Sequence, residues 1–142
     1  MATLSLGVML SFTADPGRFA QVREVGATSC QLATFAPSGV SEEMARAARA
    51  AAETAEVTIT TFWCGWSGPA AWDFVDGPTT IGLVPAQHRA TRTEELKKGA
   101  QLAAWLGVDN MASHVGFLPV NPKDQDYVET VDALKDIVAR CQ

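Results

Sequence analysis

A cysteine lies between two tryptophans in the segment Trp63-Cys64-Gly65-Trp66-Ser67. Two interpretations are open: a thiol redox motif whose second cysteine is replaced by Ser67, or a strand end that runs into a loop. A reactive thiol of the first kind needs the amino terminus of a helix, where the dipole lowers its pKa. Glycines and a proline follow Cys64 within five residues, and no helical periodicity begins nearby. The pattern therefore favours the strand end.

Four other side chains could bind a small polar ligand. His114 lies toward the end of a predicted strand, where a neutral imidazole can hydrogen-bond a hydroxyl or polarise a carbonyl. Gln31, on an earlier strand, could hydrogen-bond a hydroxyl too. Trp63 and Trp66 could stack on the apolar face of a ring. The alternatives are a histidine satisfied by a backbone carbonyl and ordinary core residues.

Arg89 and Arg92 are predicted to lie at the start of a helix. A guanidinium beside a helix amino terminus is a natural site for a phosphate group. The alternative is a pair of solvated surface arginines close to Glu94 and Glu95. The residue types alone leave both open.

The elements that position these residues repeat as four βα units. Alternation of apolar and polar residues predicts strands over residues 4–12, 29–35, 57–63 and 110–118. Helical spacing predicts helices from Asp15-Pro16 to Gly26, over 41–56, from a capping box at Thr91–Glu94 to Gly107, and over 124–140. A long glycine- and proline-rich loop is predicted over 65–88. Loops of this length in compact domains are usually functional.

Alternating strands and helices predict a parallel sheet with right-handed crossovers. A doubly wound sheet buries both faces of every strand, so its strands are continuously apolar. Here the first strand alternates Leu6, Val8 and Leu10 with small or polar residues, and His114 lies on the polar face of the fourth. A polar face on a parallel strand is expected inside a barrel. The prediction is an α/β fold of four consecutive βα units, the first half of a (β/α)₈ TIM barrel.

Composition and charge exclude several classes of partner. The net charge of −5 leaves no basic face for nucleic acid or anionic membranes. No apolar run is long enough to span a bilayer. The three cysteines have the wide spacing of free thiols, which predicts a cytoplasmic protein. Nucleotide-binding motifs and metal-site spacings are not found in the sequence.

The segment from Gly77 to Val108, followed by Ser113-His114-Val115-Gly116-Phe117-Leu118-Pro119, resembles the sugar phosphate isomerase/epimerase family of xylose-isomerase-like TIM barrels. "LGVMLSF" and "ATSCQLATF" are similar to that family's first two strands. The resemblance implies a sugar or sugar phosphate substrate, and a substrate-binding role for His114, Trp63, Gln31 and Trp66. A phosphorylated sugar would suit a phosphate site at Arg89 and Arg92, although the pattern slightly favours the surface arginines. The family's chemistry is aldose–ketose isomerisation or epimerisation by proton transfer next to a carbonyl.

The resemblance also implies a divalent metal (Mn, Mg, Co or Zn), held by carboxylates and a histidine on the fifth to eighth strands. A complete barrel needs about 250 residues, so residues 1–142 are predicted to be a single N-terminal half-barrel region. No metal ligand and no confident catalytic residue is expected in it, and the chain alone is expected to be inactive. The alternative is a non-catalytic half-barrel that acts as an interaction module.

A half-barrel leaves two strand edges unpaired, and unpaired edges promote association. We therefore expect this chain to form a homo-oligomer or to pair with a separate second-half chain.

Overall fold

The computed structural model describes residues 4–141, and its sheet confirms the predicted βα repeat. The four parallel strands lie in the order β1-β2-β3-β4. Their bounds are β1 (Gly7–Ser11), β2 (Ser29–Thr34), β3 (Thr58–Cys64) and β4 (Met111–Ala112). The helices are α1 (Pro16–Glu24), α2 (Glu42–Thr54), the single turn α3 (Gly77–Thr80), α4 (Ala86–Leu106) and α5 (Gln125–Cys141). This is half of a TIM barrel.

Local signals explain where the first helices begin. Asp15 caps α1, and its carboxylate accepts a hydrogen bond of 2.9 Å from the Gly17 N–H. Ser41 caps α2, and its hydroxyl accepts from the Met44 N–H at 3.2 Å. Side-chain oxygens at this position satisfy donors that have no partner within the helix. Both helices therefore start where the sequence predicts.

The core lies between the outer face of the sheet and the helices. Phe19 and Val22 from α1, Leu32 from β2 and Phe62 from β3 are fully buried there. Four alanines of α2 bring that helix close to the strands, namely Ala45, Ala48, Ala51 and Ala52. Met44 and Ala47, which helical spacing places in the buried stripe, lie exposed. The rest of the predicted stripe is confirmed, since Ala48, Ala51 and Ala52 are buried and Ala55 packs against the core.

The predicted bounds of two elements, the fourth strand and helix α4, are wrong. The fourth strand covers only Met111–Ala112 instead of 110–118, because the Val115 carbonyl accepts hydrogen bonds from the loop residues Leu83 and Val84. Helix α4 starts at Ala86, five residues before the predicted capping box. Thr93 is therefore inside the helix, where its hydroxyl donates to the Arg89 carbonyl at 2.8 Å.

The two faces of the sheet differ as the alternation predicts. Val8 and Leu10 of β1 pack against the core, whereas Met9 and Ser11 lie exposed on the other face. That second face would line the interior of a closed barrel. Within residues 4–141 no helix is both long and apolar enough to cross a membrane.

Candidate functional site

An aromatic cluster lies at the carboxyl ends of the strands, where barrel enzymes build their sites. Phe35 follows β2, and its ring centroid is 4.6 Å from that of Trp63 in β3. Trp72, from the loop after β3, lies 6.5 Å from Phe35 and 5.3 Å from His114, edge-on to both rings. Three strands and one loop therefore converge on one group of rings, which we call the aromatic cluster: Phe35, Trp63, Trp72 and His114.

A cavity of about 550 Å³ opens beside this cluster. Its lining combines indole and phenyl rings with the hydroxyl-bearing residues Ser11 of β1 and Thr34 of β2. This mixture of apolar ring faces and hydroxyls suits a small ligand that is itself apolar on one side and hydroxylated at its rim. The lining residues are Met9, Ser11, Phe12, Ala33, Thr34, Phe35, Trp63 and Trp72.

His114 lies just beyond β4 and is exposed. Its Nδ1 accepts a hydrogen bond of 3.1 Å from the Gly116 N–H. A neutral imidazole with Nδ1 as acceptor carries its proton on Nε2. The free end of the ring is then a hydrogen-bond donor next to Trp72.

Trp66 does not contribute to the cavity wall. It is only 2% exposed, and the Arg92 guanidinium lies over its ring at 5.3 Å from the centroid. Its ring centroid is 6.4 Å from that of Trp63, so the buried Trp66 ring packs next to Trp63. In this structure a ligand in the cavity would contact Trp63 and not Trp66.

Gln31 lies half-buried on the inner face of β2, aligned with Met9 and Thr61. It lines a separate depression of about 320 Å³ at the amino-terminal side of the sheet. The structure therefore brings Trp63 and His114 into one cluster but leaves Gln31 outside it.

Arg92 holds the long loop to α4. Its guanidinium is 1% exposed and donates to four backbone carbonyls. The acceptors and distances are Ser67 at 3.2 Å, Pro69 at 2.9 Å, and Thr80 and Gly82 at 2.8 Å each. Burial lowers the pKa of Arg92 from its usual value, and the charge of Glu95 partly opposes this. Because four donors are already engaged, little capacity remains for a phosphate.

Arg89 is engaged in a similar way. Its guanidinium donates to the carbonyls of Leu83 (2.9 Å) and Val84 (2.6 Å), and it pairs with the carboxylates of Asp126 and Glu129 on α5. Two carboxylates beside a cation repel an anionic ligand. The alternative that both arginines are solvated surface residues is wrong, because both are buried. These contacts give the predicted phosphate role no support.

Cys64 is the last residue of β3 and is fully buried, as the strand-end interpretation predicts. Desolvation, with a smaller contribution from Glu95, raises the pKa of its thiol to about 12. A thiol with this pKa is protonated at neutral pH and is a poor nucleophile. Gly99 of α4 allows the close approach, since a Cβ at that position would overlap the Cys64 sulfur.

Side chains that could hold a metal ion do not come together in the described part of the chain: residues 4–141 contain no cluster of three or more His, Cys, Asp or Glu. His114, for instance, lies edge-on to Trp72. The described residues therefore do not make a metal site.

Sequence patterns did not identify Phe35 and Trp72 as members of the site. Phe35 is the last residue of a predicted strand, where an aromatic side chain could equally belong to the core. Trp72 belongs to a loop whose path depends on contacts with α4 and with residues 115–116. The one available signal was the density of tryptophans around Cys64.

The fold defines the chain as one half of a (β/α)₈ barrel, and comparison with solved structures identifies the barrels that it matches. A xylose isomerase domain protein from Planctomyces limnophilus is similar over 99% of this chain and 50% of its own, with a TM-score of 0.86 and 26% identity. A D-psicose 3-epimerase, solved in the presence of D-fructose, matches 97% of this chain and 48% of its own (TM-score 0.62, 14% identity). The 3-keto-D-glucoside 4-epimerase of E. coli matches 98% of this chain and 53% of its own (TM-score 0.61, 15% identity).

The chain thus spans about half the length of the solved chains that it matches. The predicted resemblance to the N-terminal half of xylose-isomerase-like barrels is confirmed at the level of the fold. No family model and no curated protein matches the sequence.

Proposed function

We propose that this chain supplies half of the barrel wall and part of the substrate pocket of a sugar isomerase or epimerase. The aromatic cluster carries this proposal. Trp63 and Trp72 offer ring faces to the apolar C–H side of a sugar, and His114 offers a donor to one of its hydroxyls. The structural similarity to epimerases and to a xylose isomerase domain protein supports the same class of substrate.

The chemistry proposed for the complete barrel is proton transfer next to a carbonyl, either between aldose and ketose or as an epimerisation. In this chain His114 would orient a sugar oxygen by hydrogen bonding, and the indoles would exclude water from one side of the ring. A divalent metal (Mn, Mg, Co or Zn) is proposed for the whole enzyme. Since the described residues do not form a metal site, no step is assigned to a metal here.

We further propose that the 142-residue chain binds a sugar but does not convert it. Binding is tested by titrating the chain with D-fructose and following tryptophan fluorescence. The chain has four tryptophans, so Trp63→Phe and the matched control Trp105→Phe on α4 separate the site from the rest.

We expect the fluorescence change to be reduced in Trp63→Phe, in which Trp72 still reports on the cavity, and kept in full in Trp105→Phe. Equal responses in both variants, or the absence of a response in the unmodified chain, would contradict the sugar site. Metal-dependent isomerisation of D-fructose by the purified chain would contradict its proposed inactivity.

A further inference from the structure

The ring of Trp72 reaches the aromatic cluster from a loop, and burial does not fix its position. Trp72 is 56% exposed. Its ring meets those of Phe35 and His114 only edge-on, at 6.5 and 5.3 Å between centroids. Since so little packing surrounds the ring, the backbone on either side of Trp72 has to set its position.

Thr80, the last residue of α3, holds the backbone immediately before Trp72. Its hydroxyl accepts a hydrogen bond of 3.0 Å from the Ala71 N–H and donates one of 2.9 Å to the Asp76 carbonyl. A threonine hydroxyl can accept and donate at the same time. One side chain therefore connects the two sides of the loop, across nine positions of the sequence.

Thr80 is itself fixed to helix α4. Its carbonyl accepts a hydrogen bond of 2.8 Å from the buried guanidinium of Arg92. The neighbouring Thr79 carbonyl accepts one of 3.1 Å from the side chain of Gln87, also on α4. A continuous series of hydrogen bonds thus runs from α4 through Thr80 to the residue before Trp72.

The turn after Trp72 is closed by its neighbour Asp73. The Asp73 carboxylate accepts hydrogen bonds from the N–H groups of Asp76 at 2.7 Å, Val75 at 2.8 Å and Gly77 at 3.3 Å. These bonds, above all the one from Asp76, lower the pKa of Asp73, so its carboxylate remains an acceptor. The turn reverses the chain and brings the end of α3 next to the residue before Trp72.

We propose that Thr80 is a positioning residue of the sugar site and that it acts through Trp72. This inference rests on the proposed function, because it concerns the same cavity. Trp72 lines that cavity, whereas Thr80 contacts the backbone beside Trp72. With this contact in place, Trp72 is held next to His114 before a sugar arrives, and binding avoids the cost of ordering the loop.

Thr80→Val removes the hydroxyl and keeps the branched shape of the side chain. In the sugar-free chain we expect the nuclear Overhauser effect between the Trp72 indole and the His114 ring to fall by at least about half, because the loop is less ordered. The Ala71 N–H loses its acceptor and should exchange faster with solvent. Thr80→Ser keeps the hydroxyl and should restore both signals.

Thr79→Val is the matched control. The Thr79 hydroxyl also donates to the Asp76 carbonyl, at 3.0 Å, but the Ala71 N–H bonds to Thr80. The control should keep the ring contact and the exchange rate of the unmodified chain. Persistence of the ring contact in Thr80→Val, or its loss in Thr79→Val as well, would overturn the inference.

Both threonines lie in the loop between β3 and α4, so circular dichroism should show that the fold is unchanged in either variant. Thr80→Ala also removes the hydroxyl and replaces Thr80→Val in every measurement if valine disturbs the packing.

Titration with D-fructose tests whether the position of Trp72 matters for binding. Thr80→Val should raise the Kd about three- to tenfold, because the loop then has to be ordered when the sugar binds. In a Trp72→Ala background, Trp63 still reports on the cavity. There Thr80→Val should change the Kd by less than about twofold, since its effect passes through the missing ring. An equal rise in both backgrounds would overturn the inference.

The two measurements separate this inference from the proposed function. If the unmodified chain does not bind D-fructose, the proposed function fails, and the ring contact in the sugar-free chain still decides whether Thr80 positions Trp72. If the Kd is the same in Thr80→Val and in the unmodified chain, the sugar site stands and the role of Thr80 is overturned.

Discussion

Replacing Arg92 by methionine is expected to release the loop that carries Trp72. The guanidinium satisfies four carbonyls of residues 67–82, and methionine fills a similar volume without a donor. A hydrogen bond to a charged group contributes about 1.5–3 kcal/mol, and a buried acceptor left unpaired costs about 1–3 kcal/mol. Ser67 and Pro69 are exposed and can turn to water, so their carbonyls recover part of this loss.

The expected fall in the free energy of unfolding is therefore about 3–5 kcal/mol, a large part of the roughly 5–15 kcal/mol of a typical domain. Arg92→Lys keeps the charge but not the planar fork, and should recover only part of the stability. Urea denaturation measures the global effect. Hydrogen exchange of residues 66–85 reports local opening of the loop if the rest of the fold survives.

Arg46→Met is the matched control, since Arg46 is exposed and pairs only with Glu42 one turn away on α2. Pairs of this kind contribute about 0.3–0.5 kcal/mol. The reasoning would be refuted if Arg92→Met were no more destabilising than Arg46→Met and if exchange in the loop were unchanged.

Three further outcomes are expected. A thiol reagent should label only Cys141 in the folded monomer and all three cysteines in denaturant, and rapid labelling of Cys64 would contradict its burial. Burial raises the pKa of Cys30 to about 11 and that of Cys64 to about 12, so both thiols ionise more easily in the unfolded chain. The free energy of unfolding should therefore fall between about pH 9 and pH 12. Urea melts that show no change in stability over this alkaline range would contradict the prediction. Gly82→Ala should lower the free energy of unfolding by more than about 2 kcal/mol, because φ at Gly82 is +76° and a Cβ would overlap the Val115 backbone. Gly39→Ala is the control: a Cβ there meets nothing within 4 Å, so the same melts should show almost no change.

The parts of the fold that follow from local rules could be predicted from the sequence. Strand alternation placed Val8 and Leu10 in the core, and the Asp15 and Ser41 caps marked helix starts, because these signals act within a few residues. The fourth strand could not be delimited, since Val115 bonds to a loop more than thirty residues earlier in the chain. Its truncation is a tertiary effect.

The candidate site divides in the same way. Trp63 and His114 lie at strand ends, which a βα repeat brings to one edge of the sheet, so their proximity to one another could be anticipated. The position of Trp72 and the burial of Arg92 depend on the path of a long loop. That path is set by carbonyl groups, which every residue has, and the sequence therefore carries no distinctive pattern for it.

Where a sugar binds is the central question, and a nuclear magnetic resonance titration of the isotopically labelled chain with D-fructose tests it most directly. The account predicts that chemical shift changes concentrate on the indole groups of Trp63 and Trp72 and on residues 113–116. Changes confined to the depression around Gln31, or to the opposite end of the sheet near Arg49 and Gly107, would contradict it. A spectrum that does not change at saturating sugar would contradict it too.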